Sequence, residues 1–197
     1  MTPTEFLNYY APYAKETEKI YGVPYLVTLS QAALESGYGK HAPGFNFFGV
    51  KAGKAWTGPK QLLRTTEYLS SPDVKFPEII SITPAGAKYK YVVKDYFRKY
   101  NTPTESFNDH AKFLINNQRY KAAFNTTNAL DFAKEVAKAG YATDEQYFNK
   151  LQKLITGINQ VVTMAVDKVK QNPGAAGAGL FIALGAAFLL FSAGKKR

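Results

Sequence analysis

The sequence predicts an α+β fold that is mainly helical, with a small β lobe over a cleft. Apolar residues recur at helical spacing over about 4–37 and 102–162. Between about 45 and 100, Gly and Pro recur and short β-prone runs such as EIISIT and YKYVV appear. Helices, then strands, then helices is the order of an α+β domain with two lobes. The 197 residues hold one such domain and a tail, which excludes two large domains.

Two helices are predicted before the β lobe. The first covers residues 4–21, where Pro12 is expected to interrupt or kink it, and stops at Gly22. The second reads YLVTLSQAALES, has Pro24 in its first turn and ends at Gly37.

Three helices are predicted after the β lobe, each with its own start signal. Residues 102–105 (TPTE) offer an N-cap, a first-turn proline and a capping-box acid ahead of SFNDHAKFLI. Asn128 caps ALDFAKEVAKA, which Gly140 closes. A capping box at 143–146 (TDEQ) opens the last helix. Its predicted apolar face consists of Tyr147, Leu151, Leu154, Ile158, Val161 and Val162.

The C-terminal segment has the features of a transmembrane helix. Residues 171–194 lack charge, and 180–191 read LFIALGAAFLLF. About 20 apolar helical residues span the ~30 Å hydrocarbon core of a bilayer, and small residues followed by KKR are typical of such helices. A buried C-terminal helix is the alternative. The predicted division is a catalytic domain over 1–165, a juxtamembrane linker over 166–173, a transmembrane helix over 174–194 and a basic tail over 195–197.

The formal net charge of +10 predicts attraction to polyanions. Residues 1–164 carry 20 basic and 14 acidic side chains, and the flanks of the predicted membrane helix carry the remaining +4. Nucleic acid, anionic lipid and bacterial wall polymers all fit this balance. The segment KYKYVVKDYFRKY suits stacking on single-stranded nucleic acid, but a strand with alternating exposed lysines and buried aromatics explains it better. No nucleic-acid partner is expected.

Glu35 is the candidate general acid. It is the only carboxylate of the second predicted helix and lies in its last turn, in AALESGYG, one turn after Gln31 on the same face. An apolar helix disfavours the charged form and raises the pKa, as a general acid requires. Negative charge at a helix C-terminus also opposes the helix dipole, so stability does not account for its position. A surface glutamate near a helix end is the alternative.

A glycosidase generally needs a second carboxylate, for which the β lobe offers Glu67, Asp73 and Glu78. Glu67, in RTTEYL, is the best of these, because strand alternation places it on the same face as Thr65, facing the cleft that Glu35 borders. A solvated outer face is the alternative for a lone strand glutamate.

Other chemistries have little support in the sequence. Cysteine is absent, which excludes disulfides and thiol chemistry. His41 and His110 are 69 residues apart with no HExxH, so no metal site is predicted and each is expected to be a surface or satisfied polar residue. GxSxG, a Walker loop and GxGxxG after a strand are all missing, and no cofactor is expected.

Four separated motifs make the chain recognisable. In order they are YAKETEKIYGVPYLVTLSQAALESGYGKHAPGFNFFGVKAG, TTEYL, YFRKYNTPTESFNDHAKFL and AGYATDEQYFNKL. Over about residues 5–160 they resemble the glucosaminidase family of bacterial wall hydrolases, a glycoside hydrolase family 73-like group that includes the flagellar-rod-associated domain and many autolysins. The resemblance implies a lysozyme-like fold and an endo-β-N-acetylglucosaminidase acting on the β-1,4 bonds of peptidoglycan.

The resemblance also implies catalytic residues. The Glu of the ALES motif is the family's general acid, which is Glu35 here. The Glu of the T-x-E strand, commonly given the second carboxylate role, matches Glu67, and the Tyr of AGYATD, which lines the site, matches Tyr141. The stretch between Glu67 and Tyr96 is longer than a compact hairpin, so an enlarged lobe is predicted. The separation of the two carboxyl groups, and with it a retaining, inverting or substrate-assisted mechanism, stays open.

Substrate contacts are expected from two further groups of residues. The family's NLFG turn appears here as NFFG at 46–49, with Phe replacing Leu at its second position, so the resemblance implies substrate contact at this turn. Trp56, Phe48 and Tyr100 are aromatic candidates for stacking on sugar rings. The residues predicted to bind substrate are Asn46, Phe48, Gly49, Trp56 and Tyr100.

The expected partners are peptidoglycan glycan strands and, through the C-terminal helix, a lipid bilayer. A lytic transglycosylase and a non-catalytic, membrane-tethered wall-binding protein are the alternatives, and the presence of both Glu35 and Glu67 argues against each. No signal peptide is visible at the N-terminus. The predicted location is a bacterial envelope or a virion membrane, with the catalytic domain facing peptidoglycan and a role in phage lysis or entry.

Overall fold

The computed structural model describes residues 1–171, which form five α-helices, two 3₁₀-helices and one antiparallel sheet. The 3₁₀-helices are Pro43–Phe45 and Gln118–Asn125. The other elements are α1 (Pro3–Tyr21), α2 (Tyr25–Ser36), β1 (Lys60–Leu69), β2 (Glu78–Ala85), β3 (Lys88–Arg98), α3 (Pro103–Asn116), α4 (Ala129–Lys138) and α5 (Tyr147–Gln171). The predicted α+β order of helices, strands and helices is confirmed.

Helix α1 begins with a capping box and runs through its proline. The Thr2 hydroxyl accepts from the Glu5 amide, and the Glu5 carboxylate accepts from the Thr2 amide at 2.7 Å. Of the two predicted effects of Pro12, an interruption or a kink, the interruption is wrong, because α1 continues as one helix to Tyr21. Pro12 is exposed, so water can reach the carbonyl that loses its intrahelical donor.

Helix α2 is the central helix of the domain, and most of its side chains are buried. It ends as predicted at Gly37, whose φ of 57° lies in the left-handed region that favours glycine. Around it, the rings of Phe6, Tyr10, Phe47 and Phe107 pack with centroid distances of 4.6–6.2 Å. Each buried aromatic contributes roughly 1.5–3 kcal/mol to stability, so this cluster ties α1 and α3 to the loop at Phe47.

The sheet has the order β1-β3-β2, so β3 is its central strand. Glu67 is opposite Tyr91 and Thr65 is opposite Val93. Exposed and half-buried residues alternate along β1, and Thr65 and Glu67 share the half-buried face, as the sequence predicted. The long stretch after Glu67 forms β2 and its hairpin with β3, and the Tyr91 hydroxyl donates to the Ser71 carbonyl at 2.9 Å.

The start signals of the later helices are confirmed in part. The Glu105 carboxylate accepts from the Asn101 amide at 2.9 Å and not from the amide of Thr102, so α3 has the predicted N-cap but not the reciprocal bond of a capping box. The Thr102 hydroxyl accepts from the Glu105 amide, and the Asn128 side chain accepts from two amides of α4. Before α5, however, the capping acceptor is the carboxylate of Asp144, which receives the Gln146 amide at 2.9 Å, rather than the predicted Thr143. A carboxylate is the stronger acceptor, and Asp144 also pairs with Lys150 in the first turn of α5.

Helix α5 packs on α2 and α4 through one apolar face. Tyr147, Leu151 and Ile158 are buried as predicted, and Ile155 joins them although the predicted face did not include it. Within residues 1–171, no helix has the length and apolarity to cross a bilayer. The predicted transmembrane helix over 174–194 and the basic tail over 195–197 lie outside the described residues.

Candidate active site

A cleft of about 410 Å³ lies between the end of α2, the loop before the sheet and the segment that precedes α5. Its lining residues are Glu35, Phe48, Gly49, Val50, Lys51, Gly53, Arg98, Phe113, Tyr141 and Ala142. Volume alone does not identify a site, because a groove of about 420 Å³ also lies where α2 and α4 begin. The cleft is distinguished by Glu35 and Tyr141, which are both predicted catalytic residues.

Glu35 lies in the last turn of α2 and is open to solvent on one side. Its carboxyl group nevertheless sits among the walls of the cleft, and desolvation there raises its pKa. A hydrogen bond from the Tyr147 hydroxyl lowers the pKa, but this effect is the smaller of the two. The net result is a carboxyl group that keeps its proton to a higher pH than an ordinary glutamate, as the sequence predicted for a general acid.

A buried glutamine fixes the direction of the Tyr147 hydroxyl. Gln31, fully buried one turn before Glu35, donates its side-chain amide to the Tyr147 hydroxyl at 2.9 Å. Because this bond occupies the oxygen as an acceptor, the hydroxyl proton is free to point at Glu35. Burial raises the pKa of Tyr147, so the phenol stays protonated and remains a donor. Gln31 and Tyr147 were not among the predicted site residues, although the spacing of Gln31 from Glu35 was visible in the sequence.

The two cations among the described lining residues are both paired with carboxylates other than Glu35. The Lys51 ammonium contacts Glu67 at 2.8 Å and Asp95 at 2.9 Å. Arg98 donates to both carboxylate oxygens of Asp109, at 2.8 and 2.6 Å. Desolvation works against the charged form of Lys51, but the two carboxylates outweigh it and raise its pKa. Glu35 therefore faces a cleft whose positive charges are already neutralised.

Glu67 is connected to the cleft by its ion pair with the lining residue Lys51. It is not one of the lining residues, and its Oε1 accepts from the Thr65 hydroxyl at 3.3 Å as well as from Lys51. The structure therefore places this predicted second carboxylate on the sheet side of the site, with its orientation set by two donors on one oxygen. The other oxygen has no hydrogen bond or ion pair within residues 1–171.

In the wall of the cleft, Tyr141 contacts a buried histidine, His110. Its hydroxyl lies 3.1 Å from Nε2 of His110, and its ring stacks on Tyr147 with centroids 5.6 Å apart. Burial lowers the pKa of His110 to about 3, so the imidazole is neutral, and it stacks on Phe48 at 3.8 Å. His110 is therefore not the surface or fully satisfied residue that was expected, since its Nδ1 has no partner within residues 1–171. No group of three or more His, Asp or Glu arranged for a metal ion occurs in the same range.

The comparison with protein families agrees with this geometry. The glucosaminidase model, described as mannosyl-glycoprotein endo-beta-N-acetylglucosaminidase, matches residues 11–160, which include the whole cleft. The chain belongs to the glucosaminidase family. It is thus a member of a glycoside hydrolase family, as its motifs predicted.

Individual relatives share both sequence and fold with this glucosaminidase-family domain. The peptidoglycan hydrolase FlgJ of Vibrio cholerae is 36% identical in an alignment of 169 positions that covers 79% of this chain and 44% of that protein. The solved glycoside hydrolase domain of Salmonella typhimurium FlgJ superposes with a TM-score of 0.66 at 29% identity, covering 88% of this chain and 99% of that one. The catalytic domain of the Listeria monocytogenes autolysin Auto gives 0.64 at 30% identity, covering 81% and 86%. The chain spans less than half of the Vibrio cholerae relative but nearly all of the solved domain, and the lysozyme-like fold of the family is confirmed.

In the predicted substrate-binding turn of this glucosaminidase-family domain, Asn46 bonds to the backbone, whereas Phe48 and Gly49 line the cleft. The Asn46 amide is buried, donates to the carbonyls of Val50 and Arg98, and accepts from the Val50 amide at 2.9 Å. It therefore holds the loop against the end of β3. Phe48 and Gly49 line the cleft, and Gly49 has a φ of 60° with open space where a Cβ would be. Substrate contact by all three residues stays a prediction.

Trp56 and Tyr100 are not among the residues that line the cleft. They pack edge to face at 6.0 Å, and the Arg98 guanidinium covers the Trp56 ring at 4.4 Å. Tyr100 is buried, and its hydroxyl donates to Asp109 at 2.6 Å. Both aromatics thus support Arg98 and Asp109 at the wall of the cleft, and their stacking on sugars stays a prediction.

Proposed function

We propose that this chain is an endo-β-N-acetylglucosaminidase that hydrolyses β-1,4 bonds of the peptidoglycan backbone on the N-acetylglucosamine side. One observation carries the proposal: Glu35, with a raised pKa, lies in a cleft whose cations are occupied by other carboxylates. A carboxyl group in such a place delivers a proton to a leaving oxygen at a pH where most glutamates are ionised.

In this mechanism, Glu35 protonates the glycosidic oxygen of the leaving sugar. The Tyr147 hydroxyl orients the carboxyl and donates to the carboxylate that forms after proton transfer. Gln31 keeps the hydroxyl in that orientation by occupying its oxygen. As the glycosidic bond breaks, positive charge develops on the sugar ring. A cation next to Glu35 would stabilise its carboxylate form, so Glu35 without such a partner donates its proton to the glycosidic oxygen more readily.

Glu67 and Tyr141 serve the other side of the sugar. Glu67 orients the attacking water or stabilises the oxocarbenium-like charge, with one oxygen held by Lys51 and Thr65. Tyr141 supports that charge or positions the N-acetyl group, with its hydroxyl held by neutral His110. Because the pKa of Tyr141 is raised well above 10 by burial, its hydroxyl acts as a hydrogen-bonding group and not as an anion.

The test is digestion of purified peptidoglycan by the full chain in mild detergent, followed by mass spectrometry of the new ends. Reducing N-acetylglucosamine ends are the expected product, and Glu35→Gln is expected to remove them. Reducing N-acetylmuramic acid ends would contradict the proposed bond. Full activity of Glu35→Gln would overturn the assignment of the acid. Glu67→Gln is compared in the same assay.

Two alternative functions give different outcomes in the same experiment. A lytic transglycosylase needs only one acid, yields anhydro-muramic ends and tolerates Glu67→Gln. A non-catalytic wall-binding protein co-sediments with peptidoglycan but releases no fragments. Glu35 and Tyr141 line one cleft, and Glu67 is paired with its lining residue Lys51; this arrangement supports hydrolysis over both alternatives.

We further propose that residues 174–194 anchor the chain in a membrane as a single-pass helix, with the domain facing peptidoglycan. The uncharged apolar run and its basic flanks support this proposal. A bacterial envelope and a virion membrane are the two candidate locations, and a role in phage lysis or entry fits the second. Fractionation of cells and virions, with alkaline extraction of the membranes, tests the proposal. Recovery of the full chain in the soluble fraction would contradict it.

A further inference from the structure

The β lobe carries most of the exposed large apolar side chains of the described domain. Of the ten large hydrophobic residues that are exposed among the side chains the structure describes, six lie in the three strands. They are Leu62, Tyr68, Ile79, Ile80, Ile82 and Tyr96. Register divides them between the two faces: Leu62, Tyr68 and Tyr96 share the outer face, whereas Ile79 and Ile82 are opposite Val93 and Tyr91, on the face of Glu67. Single exposed apolar residues are normal on a protein surface, but three of them grouped on one face of a small sheet mark a surface that meets another phase or partner.

Cations occupy the outer face of the same sheet. Register and alternation place Lys60, Arg64, Lys90 and Lys94 on this face, beside Leu62, Tyr68 and Tyr96. Arg64 is directly opposite Lys94, and Lys90 is directly opposite Tyr68. Like charges in opposite positions destabilise a strand pair, so folding does not explain this arrangement. Only Lys94 has an acidic partner within the described residues, the exposed Glu78 at 2.8 Å.

The combination of side chains identifies the partner. The Lys60 ammonium lies 4.2 Å from the centroid of the Tyr96 ring, so an aromatic ring and a cation are in contact at this position. Tyrosine rings with lysine and arginine around them are typical of side chains at the boundary between lipid headgroups and water. A soluble anionic polymer would be held by the cations alone and leave Leu62 and Tyr68 in water.

We propose that the outer face of the sheet docks on the surface of an anionic phospholipid bilayer. The cations contact phosphates, and Tyr68, Tyr96 and Leu62 enter the headgroup region. Glu67 and the Lys51 ion pairs lie on the opposite, half-buried face of the sheet, so docking leaves these groups turned away from the lipid. The proposal concerns the sheet surface alone and does not depend on which glycosidic bond is cleaved.

The absence of cysteine makes a direct test possible. Thr66→Cys, at the exposed centre of β1, is labelled with an environment-sensitive fluorophore in the full chain. The matched control is Gln152→Cys on the exposed side of α5, a helix that packs on α2 and α4. Each labelled protein is combined with vesicles of equal parts phosphatidylglycerol and phosphatidylcholine, or of phosphatidylcholine alone. The readout is the position of the label relative to lipid, so it works whether or not the tail is inserted.

We expect the emission of the Thr66→Cys label to rise and shift to the blue with anionic vesicles only, and high salt to reverse the change. The control label stays unchanged. Arg64→Gln with Lys94→Gln lowers the ratio of docked to undocked protein by about 30-fold, since each cation near an anionic surface contributes about fivefold. Circular dichroism and peptidoglycan cleavage check that this variant is folded.

Three results would overturn the proposal. The first is no change of the Thr66→Cys label with anionic vesicles, and the second is an equal change at Gln152→Cys. The third is a change produced by a soluble polyanion such as poly(glycerol phosphate) but not by vesicles, which would assign the face to a wall polymer. Loss of cleavage in the peptidoglycan assay would leave these label positions unaffected, so the two proposals fail independently.

Discussion

The two carboxylates of the site sit in opposite electrostatic surroundings. On the helical side, Glu35 has a neutral phenol as its partner, and its pKa is raised by desolvation. On the sheet side, Glu67 has an ammonium group at 2.8 Å and a hydroxyl on the same oxygen. The lining cations Lys51 and Arg98 are both held away from Glu35 by Glu67, Asp95 and Asp109. The contrast shows how one site can combine a carboxyl group of raised pKa with a carboxylate that is paired with an ammonium group.

Removal of the protonated carboxyl group gives the largest effect. Glu35→Gln keeps the size of the side chain but cannot donate the proton, so kcat/KM for peptidoglycan is expected to fall by ~10²–10⁴-fold. The measurement is the rate of appearance of new reducing ends. Glu16→Gln, an exposed position on α1, is the matched control and should keep full activity. A loss of less than about tenfold in Glu35→Gln would show that another group supplies the proton.

A cation placed beside Glu35 is expected to make its electrostatic surroundings similar to those of Glu67. The acid works when protonated, so activity is expected to fall as pH rises through the pKa of Glu35. Ala142→Lys adds a positive charge to the same cleft, stabilises the carboxylate and lowers this pKa. The alkaline limb of the pH–rate profile should then move to lower pH, with roughly a tenfold loss per unit above it.

Ala142→Met separates charge from bulk in that experiment. Methionine fills a similar volume without a charge, so the alkaline limb of the pH–rate profile of this variant should lie at the same pH as that of the unaltered protein. Equal displacement of the limb in both variants would mean that the cation does not act on Glu35.

Tyr147→Phe tests the neutral partner. The change removes the acceptor of the buried Gln31 amide, so the free energy of unfolding is expected to fall by ~1–3 kcal/mol in urea denaturation. It also removes the hydrogen bond that lowers the pKa of Glu35, so the alkaline limb should move to higher pH. Phe148→Leu, at the neighbouring half-buried position, controls for loss of packing and should leave the limb in place. A limb that moves downward in Tyr147→Phe would contradict the assigned direction of this hydrogen bond.

The smallest effect is expected on the sheet side. Lys51→Met removes the cation between Glu67 and Asp95, but the site is partly exposed, so the free energy of unfolding should fall by only ~0–1 kcal/mol. The loss should be greater at low salt, where the two carboxylates repel each other more strongly. Lys54→Met, an exposed lysine nearby, should show no such salt dependence. Equal salt profiles for the two variants would exclude an electrostatic role for Lys51.

Local signals in the sequence predicted the helix that carries Glu35 and the residue at which it ends. The apolar helix, its lone carboxylate and the glycine stop at Gly37 all occur within one short segment, and α2 confirms them. The strand face shared by Thr65 and Glu67 followed from alternation alone. Such features depend on neighbours a few residues apart, which periodicity and capping rules describe.

The partners of these residues were missed because they are remote in sequence. Gln31 and Tyr147 are 116 residues apart, and His110 meets Tyr141 across 31 residues. No pattern in the chain shows that an isolated histidine will be buried under a tyrosine. Pro12 does not interrupt α1 for a related reason, since Phe6 and Tyr10 pack on the domain core and favour one continuous helix; the alternative prediction, a kink, stays a prediction.

The strand order β1-β3-β2 leaves β2 as a free edge that bears Ile79, Ile80 and Ile82. An exposed aliphatic edge is a template on which strands of other molecules add, and repeated addition leads to aggregation. Two features break this template. The register shifts between Ile79 and Ser81, and Pro84 has no N–H to offer a neighbouring chain. The lobe can therefore display apolar side chains at its rim while its backbone resists polymerisation.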